Sequence, residues 1–191
     1  MIIFDLDGTL ANCEHRRHYV DKSYITCGIG CSSKRRCIKC LRKLELDQPN
    51  WKAFYEACDQ DKPILPVMEA LRKFGNCPQH EIMIWSGRCE SVKEKTIDWL
   101  YKYSPYHAPK DVWRNFLLKM RPIGDYTPDD QLKERWLDEY IMSLTEGQLL
   151  SYSINKKHPI SFVFDDRPKV IRMWRRRGIF VFNCAQSDED F

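Results

Sequence analysis

No stretch of this chain approaches the roughly 18 consecutive apolar residues of a membrane-spanning helix, so a membrane span is excluded. No basic segment followed by an apolar run of signal-peptide length opens it, which makes the cytoplasm the expected location. The loop GxxxxGK(S/T) occurs nowhere, and its absence removes a P-loop kinase. Excess charge is small: the formal net charge of +4 is compatible with a polyanionic substrate but does not by itself point to one. Cysteine is plentiful, but its total of nine is odd, and without a secretion signal this argues against a disulfide scaffold. What remains is a globular composition, 43% hydrophobic and 30% charged, over a length of 191 residues that suits one core domain plus a small insertion.

The chain is organised around its opening, MIIFDLDGTL. Met1 to Phe4 reads as a buried strand, apolar and rich in β-branched and aromatic side chains. Period-two alternation then puts Asp5 and Asp7 on one side of the strand end and Leu6 on the other. Two neighbouring carboxylates stay ionised only where a cation or protein donors offset their repulsion. Gly8 allows the sharp turn that follows, and Thr9 completes the loop.

Residues 11–62 break the α/β rhythm. His15, Arg16, Arg17 and His18 form a mainly basic segment, read either as a solvated helix face or as a substrate-facing rim. The run CGIGCSSKRRCIKC follows, with Cys27, Cys31, Cys37 and Cys40 spaced as in a metal knuckle. A structural Zn²⁺ there would supply folding energy to a segment with little apolar mass. Scattered reduced thiols and a redox role are the alternatives, and Cys13, His15 and His18 are possible substitute ligands. A short helix after Pro49 and Asn50 carries Trp51, Phe54 and Tyr55, which either pack or offer a face to a nucleobase.

Beyond Pro63 the rhythm resumes. A helix to about Phe74 leads to a strand, Glu81 to Trp85, and then to Ser86, Gly87 and Arg88 before a helix to Tyr103. A strand ending in Ser-Gly before a helix presents a hydroxyl and backbone N–H groups at the sheet's carboxyl edge, where anions bind in open α/β folds. Arg88 adds a planar donor fork. A third strand, Phe116 to Met120, delivers Arg121 to the same edge. The next helix, about Asp129 to Leu144, places Lys133 over the site, with Asp129 one turn earlier to orient Lys133 or Arg88. A fourth strand, Ile160 to Phe164, ends in Asp165-Asp166-Arg167. A helix from Pro168 to Arg177 and a strand from Ile179 to Phe182 close the pattern.

DxDGT after an apolar strand, SGR after the second, a lone lysine at a helix start and a late acidic doublet together resemble the haloacid dehalogenase (HAD) superfamily of phosphotransferases. DLDGTLA, SGR, MRPxGDxxxDDxxK (120–133) and DDRxxVxxMWRxxG (165–178) are similar, more narrowly, to the phosphatase domains of phage polynucleotide kinase/phosphatases. The resemblance implies a HAD-like Rossmannoid three-layer α/β sandwich with a mainly parallel sheet, built from 1–12 and 63–191, with 13–62 as a Cys-rich cap insertion. It casts Asp5 as nucleophile and Asp7 as general acid–base. Mg²⁺ would be held by Asp5, the backbone carbonyl of Asp7, Asp165 and Asp166. Thr9, Ser86, Gly87, Arg88 and Lys133 would hold phosphate, with Asp129, Arg121 and Arg167 in support.

The implied reaction is hydrolysis of a phosphomonoester on a nucleic-acid or nucleotide end through an aspartyl-phosphate. A 5′-nucleotidase acting on free nucleotides and a non-catalytic zinc-knuckle module binding nucleic acid are the alternatives. The missing kinase loop and the unfamiliar insertion are the two departures from the family pattern.

Overall fold

The computed structural model describes residues 1–21, 49–104, 109–155 and 157–185. Strand β1 (Ile2–Phe4) is wholly buried and lies at the centre of a parallel sheet, where burial on both faces favours an unbroken apolar run. Its odd and even positions serve different layers. Ile2, Phe4 and Leu6 join Met68 and Leu71 of α2 (Leu65–Gly75) and Ile97 and Leu100 of α3 (Lys93–Tyr103). Ile3 joins Leu132, Trp136 and Leu137 of α5 (Asp129–Ser143) and Val170, Ile171 and Trp174 of α7 (Pro168–Arg176). The two helical layers sandwich the sheet as the sequence led us to expect.

The sheet order is β5-β4-β1-β6-β7, with β4 at Ile82–Cys89, β5 at Leu118–Arg121, β6 at Phe162–Asp165 and β7 at Val181–Asn183. The chain moves outward from β1 through β4 to β5, then returns to the other side of β1 for β6 and β7. The direction therefore reverses between β1 and β6, and the crevice above their carboxyl ends is where such sheets bind ligands. Asp5 follows one of these strands; Asp165 ends the other.

Several boundaries differ from the sequence reading. β4 does not stop at Trp85 but runs through Ser86, Gly87 and Arg88, because β5 continues to pair with it: Ser86 opposes Met120 and Cys89 opposes Arg121, with a register shift between them. A bulge of this kind re-aims side chains without ending the strand. The following helix α3 begins only at Lys93, after a 3₁₀ turn at Glu90–Val92, so Ser-Gly does not sit at a helix N-terminus. β5 starts at Leu118 because a short helix α4 (Lys110–Val112) and a π-helical turn (Trp113–Leu117) occupy the preceding residues. Helix α6 (Glu146–Ile154) was not expected at all.

A two-stranded antiparallel ribbon, β2 (Ala11–Asn12) with β3 (Lys62–Pro63), was also missed, since two residues are too few to show alternation. Between its strands lie a 3₁₀ turn (Glu14–Tyr19), α1 (Trp51–Glu56) and a second 3₁₀ turn (Ala57–Gln60).

Candidate active site

The floor of the crevice is acidic and buried. Asp5, Asp165 and Asp166 are buried, and one carboxylate oxygen from each lies within 4.8 Å of the other two. The backbone N–H of Asp5 donates to the Phe164 carbonyl at 2.9 Å, tying the end of β1 to β6. Lys133, on the second turn of α5, donates to Asp5 Oδ1 at 2.6 Å and to Asp165 Oδ2 at 2.8 Å. Asp165 is fixed further by the Arg167 N–H at 3.1 Å and the Trp174 indole at 3.4 Å. Thr9, expected to hold phosphate, instead donates its hydroxyl to Asp166 Oδ1 at 3.3 Å.

One lysine does not balance three buried carboxylates. Burial pushes the Asp5 carboxyl up to about 6, against the pull of Lys133. Asp166 is driven well above the usual carboxylate range by burial and then by Asp5 and Asp165. Burial works against the Lys133 charge, but Asp165 and Asp5 outweigh it and raise its pKa. An all-oxygen donor set with surplus negative charge suits a hard cation such as Mg²⁺. The residues present therefore fit that ion.

Gly8 makes this packing possible. Its φ is +86°, and a Cβ built there would lie 2.0 Å from Asp166 Oδ2.

Asp7 faces elsewhere. Its carboxylate Oδ1 accepts from Arg88 Nε at 2.8 Å and from Arg16 Nη2 at 2.6 Å. Burial alone would raise its pKa, but Arg88 and Arg16 outweigh it and hold the group well below the usual range. Both arginines are fully buried and share a second acid, Asp61. Asp61 accepts from Arg16 Nε and Nη2, each at 2.7 Å, from Arg88, and from the His15 ring, Nε2 to Oδ1, at 2.9 Å. Its backbone carbonyl takes the Trp99 indole at 2.7 Å. Two arginines and two aspartates thus form a closed, charge-balanced quartet.

This quartet corrects two expectations. Arg88 is not free as an outward phosphate fork: its guanidinium is spent on Asp7, Asp61 and Thr96, and its N–H donates to the buried Ser86 hydroxyl at 3.2 Å. Arg16 is not a rim residue, because the 3₁₀ turn points it inward, over the Phe54 ring at 4.1 Å and onto the Phe54 carbonyl at 3.1 Å. Of the expected rim, Arg17 lines a neighbouring cavity and pairs with Glu14, and the exposed His18 meets the His15 carbonyl. Asp61 itself escaped the sequence reading. Its arginine partners are 45 and 27 residues away, so no local pattern marks it.

Asp129 does not reach Lys133 or Arg88. It pairs with Arg121 and Arg167, and its carboxylate sits so close to Gly87 that a Cβ there would be 2.6 Å from Oδ1. Arg121 also donates to the Gly87 carbonyl at 2.9 Å. These two arginines, expected as supports, therefore brace the rim around Gly87.

Cys27, Cys31, Cys37 and Cys40, the expected zinc ligands, lie outside the described residues. Among the described residues, Cys13, Cys58, Cys77, Cys89 and Cys184 are free thiols, and no metal cluster includes a cysteine or histidine. Burial pushes the Cys13 thiol up to about 12, which opposes its use as a thiolate ligand.

Two cavities open beside the acids. One of 590 Å³ is lined by Asp5, Asp7, Trp51 and the 122–128 loop. The other, of 440 Å³, shares Asp7, Trp51, Asp129 and Arg167 with it.

Residues 47–189 match the family described as the polynucleotide kinase PNKP phosphatase domain. A baculovirus protein (Autographa californica nuclear polyhedrosis virus), described as a candidate bifunctional polynucleotide kinase/RNA ligase, is 30% identical over 147 residues, which is 75% of this chain and 18% of that protein. Two solved chains are similar in structure. One, from a Pnkp1/Rnl/Hen1 complex, has a TM-score of 0.59 at 25% identity, covering 98% of this chain and 46% of its own. The other, from a Pnkp1/Rnl/Hen1 RNA repair complex, has a TM-score of 0.57 at 23% identity, covering 95% and 41%. The chain thus spans less than half the length of each of these relatives.

Proposed function

Because this chain belongs to the family of polynucleotide kinase phosphatase domains, within the HAD superfamily of phosphatases, we propose that it is a Mg²⁺-dependent phosphomonoesterase acting on 3′-phosphorylated ends of nucleic acids or nucleotides. The observation that carries this reading is the pairing of two unlike acidic environments. Asp5 stands in a cation-seeking cluster with Asp165 and Asp166, while Asp7 is held apart, ionised, by two arginines.

When bound among Asp5, Asp165 and Asp166, Mg²⁺ would neutralise charge on the phosphoryl oxygens. Lys133 holds Asp5 in place, and its ammonium would offset charge that develops on the equatorial oxygens. Asp5 attacks phosphorus in line; the ester P–O bond breaks as the new Asp5–phosphorus bond forms. The departing oxygen takes a proton that Asp7 has first gained from solvent. The arginines keep Asp7 ionised in the resting protein, and an entering phosphate dianion opposes their field and raises its proton affinity. Once ionised again, Asp7 removes a proton from the water that attacks the aspartyl-phosphate, releasing inorganic phosphate and regenerating Asp5. The buried quartet keeps Asp7 aimed through both halves of the cycle.

A kinetic panel of 3′- and 5′-phosphorylated mononucleotides and short oligonucleotides, assayed with Mg²⁺ and with EDTA, tests the proposal. Metal-dependent release of phosphate from 3′-ends, lost in Asp5→Asn while the fold persists, is expected. Preference for free 5′-mononucleotides would replace it with the nucleotidase reading. Near-normal turnover by D5N would remove Asp5 as nucleophile.

A further inference from the structure

Large apolar side chains stand in the open beside the acids, on backbone segments fixed by hydrogen bonds. Trp51 is half-exposed at the start of α1, where Asn50 caps the helix through the Ala53 N–H at 2.9 Å. Its ring rests against Phe54 and Tyr55, with centroids 5.7 and 6.0 Å away. The second group comes from a separate part of the chain, the loop after β5. There Tyr126 is 93% exposed and Ile123 72%. That loop is not slack: Arg121 donates to the Asp125 carbonyl at 3.2 Å and to the Thr127 carbonyl, and Asp125 Oδ1 accepts the Thr127 N–H at 2.8 Å. A braced loop that exposes its aromatic residue, and a braced tryptophan, both line the 590 Å³ cavity that reaches Asp5 and Asp7. Rigid aromatics ordered in advance bind at low entropic cost.

We propose that Trp51, assisted by Tyr126, stacks on the nucleobase of the phosphate-bearing terminal nucleotide and thereby selects nucleotide-borne phosphates. This deepens the function proposed above and rests on it for the identity of the occupant. Three features support it. The cavity is continuous with the nucleophile, so whatever alcohol carries the phosphate must extend into the space nearby. Its volume is in the range that encloses a small ligand. Its wall combines aromatic faces with the cation Lys52, the pairing by which single-stranded ends are held, while Arg121 and Arg167 are engaged by Asp129.

The test compares two short 3′-phosphorylated oligonucleotides that differ only in whether the terminal nucleotide has its base or is abasic. Both kcat/KM and affinity, the latter by fluorescence anisotropy, are measured for the wild type, Trp51→Ala, Trp51→Phe and Tyr126→Ala. The wild type should favour the base-bearing end by about fivefold or more, the lower bound for a stacked base. W51A should abolish most of that preference, with the loss in KM rather than kcat; W51F should retain it, and Y126A should reduce it. An equal loss on both substrates in W51A would mean a structural role and overturn the proposal, as would a wild type indifferent to the base. The two readings fail separately. Base-dependent affinity without hydrolysis would sink the phosphatase reading alone, and hydrolysis without base dependence would sink the stacking alone.

Discussion

Replacing Asp61 by asparagine should destabilise this protein far more than a surface change. Arg16, Arg88 and Asp61 all have wholly buried side chains, and the quartet with Asp7 is neutral only because two carboxylates face two guanidinium groups. Asparagine keeps the volume but removes one negative charge, leaving two arginines to share Asp7. Breaking a buried pair in this way costs about 3–5 kcal/mol, because the uncompensated charge has no water to turn to. Total stabilities are only about 5–15 kcal/mol, so the loss is a large fraction of the whole. For a chain of this length it corresponds to a fall in Tm of roughly 6–20 °C. Urea unfolding with an unchanged m-value is the assay. Arg16→Met alone should also destabilise, by leaving the opposite charge in excess. The double variant D61N/R16M returns the site to one Arg88–Asp7 pair, so its cost should fall short of the sum of the single costs by about 1–3 kcal/mol. A D61N protein within about 0.5 kcal/mol of wild type, the range of ordinary surface substitutions, would refute the reasoning. So would strict additivity in the cycle.

Two further predictions concern the acidic cluster. Gly8→Ala places a methyl group where Asp166 now stands, at a φ that L-residues resist, so kcat should fall by up to about a hundredfold through misplacement of the carboxylate; wild-type kcat with an unaltered Mg²⁺ titration would refute this. Lys133→Met leaves three buried acids without a cation, so Tm in EDTA should drop and added Mg²⁺ should restore part of it; an equal drop with and without the metal would count against the charge argument.

The residues that announced themselves did so because chemistry and local geometry coincided. Alternation alone separates Asp5 and Asp7 from Leu6, and Leu6 is indeed in the core. A proline and two acids mark the start of α5, one turn before Lys133, and an apolar strand runs directly into Asp165 and Asp166. Ser86 to Arg88 misled because the residues suit a turn, whereas the pairing with β5 that keeps them in a strand is set by a segment some thirty residues later. Arg16 and Asp61 were illegible for a related reason. One arginine of a basic run and one of two aspartates ahead of two prolines carry no periodic signal; only the fold brings them together. Helix α6 has no buried residue, its Leu149, Leu150 and Ile154 staying exposed, although Thr145 and Gln148 form a capping box that spacing alone could have suggested.

The narrow ribbon in which Ala11 meets Pro63 and Asn12 meets Lys62 limits what an insertion there can disturb. It brings both ends of the intervening stretch to one doorway, so the core experiences the same closure however many residues pass through. Doubling such a stretch adds only about 0.6 kcal/mol of closure entropy. Arg16 and Asp61 sit just inside that doorway, where they complete the buried quartet, and Phe54 and Cys58 between them are packed into the core. A change of length beyond those anchored residues would therefore leave the acidic cluster and its lysine where they stand.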